Sequence, residues 1–190
     1  MGIRSRAQNF EDVMLWRALG GVQAGFFIDV GAQHPIKDSV SKIFSEEGWR
    51  GIHVEPTSQY ASMLREDRPN ETVISAAISA RKGTISFFAI TDTGLSTGYR
   101  DIAEAHAAAG HPYREITVPT LSLDDLLALA PSDDIHWLKI DVEGMEHDVL
   151  ESWRLSPRRP WIVLIEANLP GSQVPSHEKW EALILAKGYH

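Results

Sequence analysis

The stretch Phe26-Phe27-Ile28-Asp29-Val30-Gly31-Ala32 decides the fold of this 190-residue chain. Its apolar residues run almost unbroken into an acid and a glycine, a pattern typical of a strand buried on both faces of a parallel sheet. Glycine lets the chain turn sharply and approach a ligand, because it has no Cβ. A helix is expected next, over Ile36 to Glu47. Strand, turn and helix favour a ligand at the carboxyl end of the strand, although an ordinary strand-to-helix turn has the same pattern.

The composition narrows the classes of protein that fit. The formal net charge is −8 and the isoelectric point is about 5.4, which argues against nucleic-acid and membrane-surface binders, because both need basic patches. The chain has no cysteine, so disulfides, thiolate metal sites and cysteine nucleophiles are excluded. No apolar run is long enough to span a bilayer, and the start lacks a signal-peptide core. We expect one domain over residues 1–190 and a cytoplasmic location.

A second predicted strand, Gly51 to Pro56, carries Glu55 near its end, 26 residues after Asp29. In doubly wound folds, a carboxylate at about this place accepts hydrogen bonds from ribose hydroxyls. The alternative is that Glu55 caps the helix predicted over Thr57 to Arg65. A dinucleotide-binding fingerprint needs two more glycines in the first turn, which weakens an interpretation as a nicotinamide-dependent dehydrogenase.

Three more acids lie where later strands end. Asp141 and Glu143 follow one buried apolar run, and Glu166 ends another. If the sheet is parallel, these acids gather with Asp29 and Glu55 at one edge, an arrangement that is costly unless a cation, a metal or bound hydroxyls offset the charge. Asp141 and Glu143 suit proton abstraction or metal binding. Helix capping would need only one of them.

The amino-terminal segment from Arg4 to Arg17 has the apolar spacing of an amphipathic helix. Gln8, Glu11 and Asp12 cluster at its start. These acids would favour the positive end of the helix, or they would reach a ligand at the top of the first strand.

Three further segments complete the prediction. Glu71 to Ala77 is expected to form a third strand. Residues 91–114 have no steady apolar period apart from a helical piece around Ile102 to Ala109, so they are a candidate substrate lid or a flexible insertion. The last helix is expected over Ser176 to Lys187 and to end at Gly188.

Taken together, these motifs resemble the FkbM-type methyltransferases, which depend on S-adenosylmethionine. The matching pieces are Gln8 to Asp12, Phe27 to Ala32, Gly48 to Gly51, Val54 to Pro56, Leu138 to Gly144, and Glu166 with Ala167. The resemblance implies a Rossmann-like class I methyltransferase fold, an α/β three-layer sandwich with a mostly parallel sheet. Such a sheet closes with an antiparallel hairpin, and we expect that hairpin to be truncated in this sequence.

The resemblance also implies a cofactor site. Asp29 and Gly31 would lie along the methionine part of S-adenosylmethionine, Glu55 would accept the ribose hydroxyls, and Ala76 and Ala77 would flank the adenine. The amino-terminal helix within residues 1–20 would close over the cofactor. The full set of expected cofactor-binding residues is Gln8, Glu11, Asp12, Asp29, Gly31, Ala32, Glu55, Pro56, Ala76, Ala77 and Asp141.

The predicted reaction moves a methyl group to a hydroxyl of a sugar, a glycan or a natural product. Asp141 is the leading candidate base, and Glu143 and Glu166 are expected as a second base or, with Asp141, as ligands of Mg²⁺. His34, on the glycine turn, is the alternative base. The rival functions are an NAD-dependent oxidoreductase and a non-catalytic cofactor-binding or interaction domain. The expected partner is a small-molecule or carbohydrate acceptor, with no nucleic acid and no membrane span. A homodimer is the open alternative, because the missing hairpin would leave an open sheet edge.

Overall fold

The structure is a computed structural model that describes residues 3–190. Its helices are α1 (Glu11–Ala18), α2 (Lys42–Glu46), α3 (Ser58–Asp67), α4 (Arg100–Ala108), α5 (Leu123–Ala128), α6 (Glu146–Glu151) and α7 (Glu181–Leu185), with a 3₁₀ turn at His177–Lys179. Its strands are β1 (Phe26–Val30), β2 (Arg50–Val54), β3 (Thr72–Ile74), β4 (Ala77–Ile78), β5 (Gly83–Ile90), β6 (Tyr113–Leu121), β7 (Trp137–Ile140) and β8 (Ile162–Ile165). Among the described residues, no helix is long and apolar enough to cross a membrane.

The larger sheet is parallel and has five strands in the order β3-β2-β1-β7-β8. Phe26 pairs with Arg50 and Val30 with Val54, so β1 and β2 end at the same level. The chain order reverses direction at β1, because β2 and β3 lie on one side of it and β7 and β8 on the other. This arrangement confirms the predicted Rossmann-like α/β fold.

The described chain forms two compact units. The first comprises the residues through Ser75 together with Ala130–Lys139 and Arg158–Leu164, and the second comprises Ala76–Leu129, Ile140–Pro157 and Ile165–His190. The prediction of a single domain over the whole chain stays a prediction.

Aromatic side chains fill the core of the first unit. The rings of Phe27 and Trp137 stack with centroids 4.5 Å apart, and Phe44 packs on both. This packing explains why Gly51 is small, since a Cβ at that position would overlap the Phe27 ring. The near-continuous apolar sequence of β1 and β7 therefore reflects burial on both faces, as predicted.

The second unit contains a separate sheet of three strands. Its order is β4-β6-β5, with β5 and β6 antiparallel and β4 parallel to β6. Ala77, Phe87, Val118 and Met145 form a buried apolar cluster in this unit. The longest strand of this sheet is β6, which has nine residues.

Several predicted element bounds were wrong, for local reasons. The helix expected from Ile36 to Glu47 is only α2, because the backbone N–H groups of Ile36 and Lys37 donate to His34 Nδ1 and Asp38 has a positive φ of 55°. The strand expected over Glu71 to Ala77 is divided between β3 and β4, which belong to different sheets. The amino-terminal helix begins only at Glu11, because Phe10 has a φ of 63°.

Candidate functional site

The glycine turn at the end of β1 has the geometry that the sequence predicted. Gly31 has a φ of 80°, a left-handed conformation that glycine adopts without steric cost. The backbone N–H groups of Gly31 and Ala32 both donate to the carbonyl oxygen of Val54, at 3.0 and 3.2 Å. The turn is thereby fixed to the end of β2, immediately before Glu55. The two predicted motifs of the first unit, the glycine turn and the second-strand acid, are brought together.

Glu55 is a buried carboxylate that accepts hydrogen bonds from the glycine turn and from the start of α3. Its Oε2 accepts from Gln33 N at 3.0 Å, and its Oε1 accepts from Thr57 N at 2.8 Å and Thr57 Oγ1 at 2.6 Å. Burial raises the pKa of Glu55, and these hydrogen bonds and Lys139 offset part of that effect. An ionised carboxylate can accept about four hydrogen bonds, so Glu55 has capacity for a ligand hydroxyl at Oε2. The hydrogen bonds that Glu55 accepts from Thr57 at the start of α3 are therefore compatible with ligand binding.

Asp29 is buried and belongs to an ion pair that the sequence did not indicate. Its Oδ1 lies 3.4 Å from Lys139 Nζ, and its Oδ2 accepts from Ser41 Oγ at 2.7 Å. Burial by itself would raise the pKa of Asp29, but Lys139, His53, Ser41 and Arg68 together hold it below its ordinary value. Lys139 Nζ also donates to the carbonyl oxygen of Gly31 at 3.2 Å. One lysine therefore joins the acid of β1 to the glycine turn.

Asp29 is connected through Ser41 to a network of buried polar side chains. The guanidinium of Arg68 donates to Ser41 Oγ at 2.7 Å and to the carbonyl oxygen of Pro35 at 2.6 Å. His53 Nε2 is 2.7 Å from Glu71 Oε2. Arg68 thus fixes the segment that follows the glycine turn, and through Ser41 it also fixes the orientation of the Asp29 carboxylate. An arginine directly after α3 is an ordinary helix-end residue, so no specific sequence signal points to this role.

The two acids of the amino-terminal segment, Glu11 and Asp12, accept hydrogen bonds from residues near them in the chain. Asp12 is buried, and its carboxylate accepts from Ser5 Oγ and from the backbone N–H groups of Arg6, Ala7 and Val13. Glu11 accepts from both nitrogen atoms of Asn9, and Gln8 is exposed. These bonds stabilise the entry to α1, as expected for acids at a helix start. The predicted contacts of the three side chains with a cofactor stay predictions.

His34 stands on the glycine turn, and its Nδ1 accepts from two backbone N–H groups, both at 3.0 Å. A neutral imidazole has one acceptor nitrogen, so this contact uses the lone pair that a general base would need. The described geometry therefore favours a structural role in the turn.

The other predicted cofactor contacts are apolar or half-buried. Ala32, Ala76 and Ala77 are each about 5% exposed or less, and Pro56 is half-buried. Ala32 and Pro56 flank the turn and Glu55 in the first unit, whereas Ala76 and Ala77 belong to the second unit. Their contacts with S-adenosylmethionine stay predictions.

In the second unit, the structure brings Asp141, Glu143 and Glu166 together, as predicted for a catalytic or metal-binding group. One carboxylate oxygen from each lies within 4.8 Å of the others. Burial, followed by the charges of Asp141 and Glu143, raises the pKa of Glu166 to about 9. A raised pKa of this kind favours one shared proton on this group of acids at neutral pH, and Glu166 shares a hydrogen bond with Asp141. We call these three residues the acid cluster.

Two members of the acid cluster, Asp141 and Glu143, belong to a strained turn that Glu146 stabilises. Glu143 has a φ of 49° and Gly144 a φ of 96°, so two consecutive residues are left-handed. The buried Glu146 accepts from the N–H groups of Val142 and Gly144, both at 3.2 Å. The sequence prediction assigned no role to Glu146, although an acid that follows a glycine turn is a usual signal of such a bond.

The donor set of the acid cluster fits a divalent cation. Three carboxylate oxygens are the hard ligands that Mg²⁺ and Ca²⁺ prefer, and their separation is close to that of ligands around one such ion. A cation would also remove the repulsion that keeps Glu166 protonated.

Comparison with known protein families identifies the family of this chain. The sequence matches the family described as "Methyltransferase FkbM domain" over residues 29–190. This range contains the glycine turn, Glu55 and the acid cluster, and it begins after Gln8, Glu11 and Asp12. No curated protein and no solved structure gave a significant match.

Proposed function

Because the chain belongs to the FkbM methyltransferase family, we propose that it transfers a methyl group from S-adenosylmethionine to a hydroxyl oxygen of a sugar, a glycan or a natural product. The observation that carries the proposal is the buried Glu55 carboxylate beside the glycine turn. It has capacity to accept a hydroxyl hydrogen bond, and it lies where a ribose would meet the ends of β1 and β2. S-adenosylmethionine supplies, when bound, an electrophilic methyl group on a cationic sulfur.

The first unit would bind and orient the cofactor. Glu55 would accept a ribose hydroxyl at Oε2, and the missing Cβ at Gly31 would allow close approach of the turn to the cofactor. Asp29 is kept ionised by Lys139 and Ser41, so its negative charge would favour the cationic part of the cofactor. Fixed groups of this kind accelerate transfer mainly by positioning the methyl group in line with the acceptor oxygen.

The acid cluster would handle the proton of the acceptor hydroxyl. In the transfer, the sulfur–methyl bond breaks, a methyl–oxygen bond forms, and the hydroxyl proton goes to a carboxylate. Asp141 is our candidate for that carboxylate, because its hydrogen bond with Glu166 would hold it in place to accept the proton. Alternatively, the three acids would hold Mg²⁺, which would lower the pKa of a bound hydroxyl.

Methyl transfer can be tested directly by mass spectrometry. Wild-type protein, S-adenosylmethionine and a panel of sugars and phenolic natural products should give a methylated acceptor and the demethylated cofactor in equal amounts. Asp141→Asn should lower the rate by about 10²-fold or more, as expected for loss of a general base. Asp134→Asn, a change at an exposed acid of the first unit, is the matched control. Full turnover by Asp141→Asn would show that this carboxylate is not the base.

The same assay separates the two roles of the acid cluster. Turnover that is unchanged by a chelator and by added Mg²⁺ supports proton transfer by the carboxylates. Turnover that a chelator abolishes and Mg²⁺ restores supports the metal site.

A further inference from the structure

The second unit contains a cavity of about 360 Å³ that the sequence did not indicate. We call it the Trp180 cavity, and its defining residues are Tyr99, Asp101, Gly144, Ser176, Lys179 and Trp180. They come from the start of α4, from the turn after β7 and from the segment that follows β8. Only the first of these segments belongs to the predicted substrate lid at residues 91–114.

The wall of the cavity at Gly144 adjoins the acid cluster along the chain. Gly144 directly follows Glu143, and a Cβ at Gly144 would lie 2.6 Å from Ile102 Cδ1, so the turn and α4 approach closely. Thr97 Oγ1 donates to the carbonyl oxygen of Glu143 at 2.8 Å and fixes the turn from the same side. A molecule in the cavity would therefore lie beside the turn that carries the candidate base.

Another wall of the cavity is formed by the segment after β8, which backbone hydrogen bonds hold in a loop. Leu169 N donates to Val174 O at 2.8 Å, and Ser176 N donates to Ala167 O at 2.7 Å. These bonds place Ser176 and Trp180 on the cavity with little freedom of the backbone. A preformed wall of this kind is typical of small-molecule sites.

The size of the cavity selects among the acceptors proposed above. Ligand pockets span roughly 300 to 1,000 Å³, so a volume of about 360 Å³ is at the small end. It can enclose a single sugar ring, whereas a polyketide-sized product or a sugar nucleotide would extend well beyond it.

The lining suits a molecule that has both apolar faces and several hydroxyls. Tyr99 and Trp180 supply aromatic surface, and Asp101, Ser176 and Lys179 supply acceptors and donors. Ser176 and Trp180 are more than nine-tenths buried, and Ser176 Oγ and Trp180 Nε1 have no hydrogen-bond partner within the described chain. Buried polar atoms normally have a partner, so both are groups whose hydrogen bonds a polar ligand reaching this wall would satisfy.

The charges around the cavity disfavour an anionic acceptor. Asp101 and Glu146 line it with one lysine, Lys179, and no arginine is among the lining residues. Asp101 also lies in the first turn of α4, where it neutralises the helix end that would attract a phosphate.

We propose that the Trp180 cavity binds the methyl acceptor, and that the acceptor is an uncharged sugar unit of one ring, free or at the end of a larger glycan. This inference rests on the proposed methyltransferase function and specifies its substrate class.

Ligand-observed NMR on the full chain tests the inference without turnover. The probes are D-glucose, D-galactose, L-rhamnose and N-acetyl-D-glucosamine, with glucose 1-phosphate as the anionic comparison. At least one neutral sugar should bind with a millimolar Kd, and glucose 1-phosphate should bind about tenfold more weakly. Asp101→Asn should weaken sugar binding about tenfold, as for loss of a charged hydrogen-bond acceptor. Glu104→Gln, at an exposed position on the same helix, should leave it unchanged.

Ser176→Ala provides a second variant with little risk to folding, and it should weaken the same sugar by about threefold or more. The inference is overturned if no neutral sugar binds at 50 mM ligand (roughly ten times a typical millimolar Kd), if the phosphorylated sugar binds more tightly, or if Asp101→Asn and Ser176→Ala both bind like Glu104→Gln. Titration of the same samples with S-adenosylmethionine separates the two proposals. Cofactor binding without sugar binding refutes the cavity assignment alone, whereas sugar binding without cofactor binding refutes the proposed methyl transfer alone.

Discussion

Replacement of Asp29 by asparagine should destabilise the protein strongly, because it breaks a buried ion pair while it keeps the shape of the side chain. Asparagine can still accept the hydrogen bond from Ser41, so the change removes little besides the charge opposite Lys139. At 3.4 Å and an effective dielectric constant of about 20, the attraction between the two charges is about 5 kcal/mol. Breaking one side of a buried pair typically costs about 3–5 kcal/mol, so we expect a loss of that size in the free energy of unfolding.

Urea unfolding of a double-mutant cycle tests this value. Lys139→Met alone should also destabilise, because it leaves Asp29 buried without its cation, but the double variant should lose clearly less stability than the sum of the two single changes. The control is the Arg100–Glu115 pair, which is shorter at 2.8 Å but has both side chains about half-exposed, so its coupling should be much weaker. Additive effects of Asp29→Asn and Lys139→Met, or an equal coupling in the exposed pair, would refute the reasoning.

The Asp29–Lys139 pair also predicts how the free energy of unfolding depends on pH. The pKa of Asp29 in the folded protein is below its ordinary value of 3.8, so the folded state binds a proton more weakly than the unfolded state. The stability that Asp29 contributes is therefore present above about pH 4 and is lost as the pH falls through the folded pKa. In Asp29→Asn, the free energy of unfolding should therefore decrease less as the pH falls below about 4.

Three further predictions concern other parts of the chain. Gly51→Ala should cost about 1–3 kcal/mol in urea unfolding because its Cβ would overlap the Phe27 ring, whereas Gly21→Ala, with no atom within 4 Å, should cost much less; equal effects would contradict the packing. Glu166→Gln should reduce the fall in stability between pH 5 and 9, since a folded pKa raised to about 9 makes the wild type lose stability as the pH rises through that window; an unchanged slope would contradict the shared proton. Arg68→Met should lower the urea midpoint of unfolding and also weaken S-adenosylmethionine binding. Arg65→Met, at an exposed position on α3, should leave cofactor affinity unchanged. Equal cofactor affinities of the two variants would show that Arg68 does not orient Asp29 for binding.

The parts of the fold that the sequence predicted correctly are those set by local patterns. The apolar runs of β1 and β7 required burial on both faces, and Gly31 required a left-handed turn. The chain order of strands along the sheet then follows from general rules for parallel α/β folds. Local patterns and these rules were therefore sufficient to predict the grouping of Asp141, Glu143 and Glu166, whereas the family was predicted from the resemblance of the motifs.

The parts that sequence reasoning missed depend on contacts between residues far apart in the chain. Lys139 and Asp29 are separated by more than a hundred residues, and no local signal connects a lysine in an apolar strand with an acid in another. The parallel pairing of β4 with β6 is equally non-local. The Trp180 cavity joins three distant segments, so neither its volume nor its lining could be read from any one of them.

The most direct test of the account is calorimetric titration of the wild-type chain and of Glu55→Ala with S-adenosylmethionine. Loss of a charged acceptor for ribose hydroxyls should cost about 3 kcal/mol or more, which corresponds to roughly a hundredfold weaker binding. The account predicts micromolar binding by the wild type and by Glu66→Ala, an exposed glutamate on α3, and a hundredfold loss for Glu55→Ala. Undetectable binding by the folded wild type, or equal affinities of Glu55→Ala and Glu66→Ala, would contradict it.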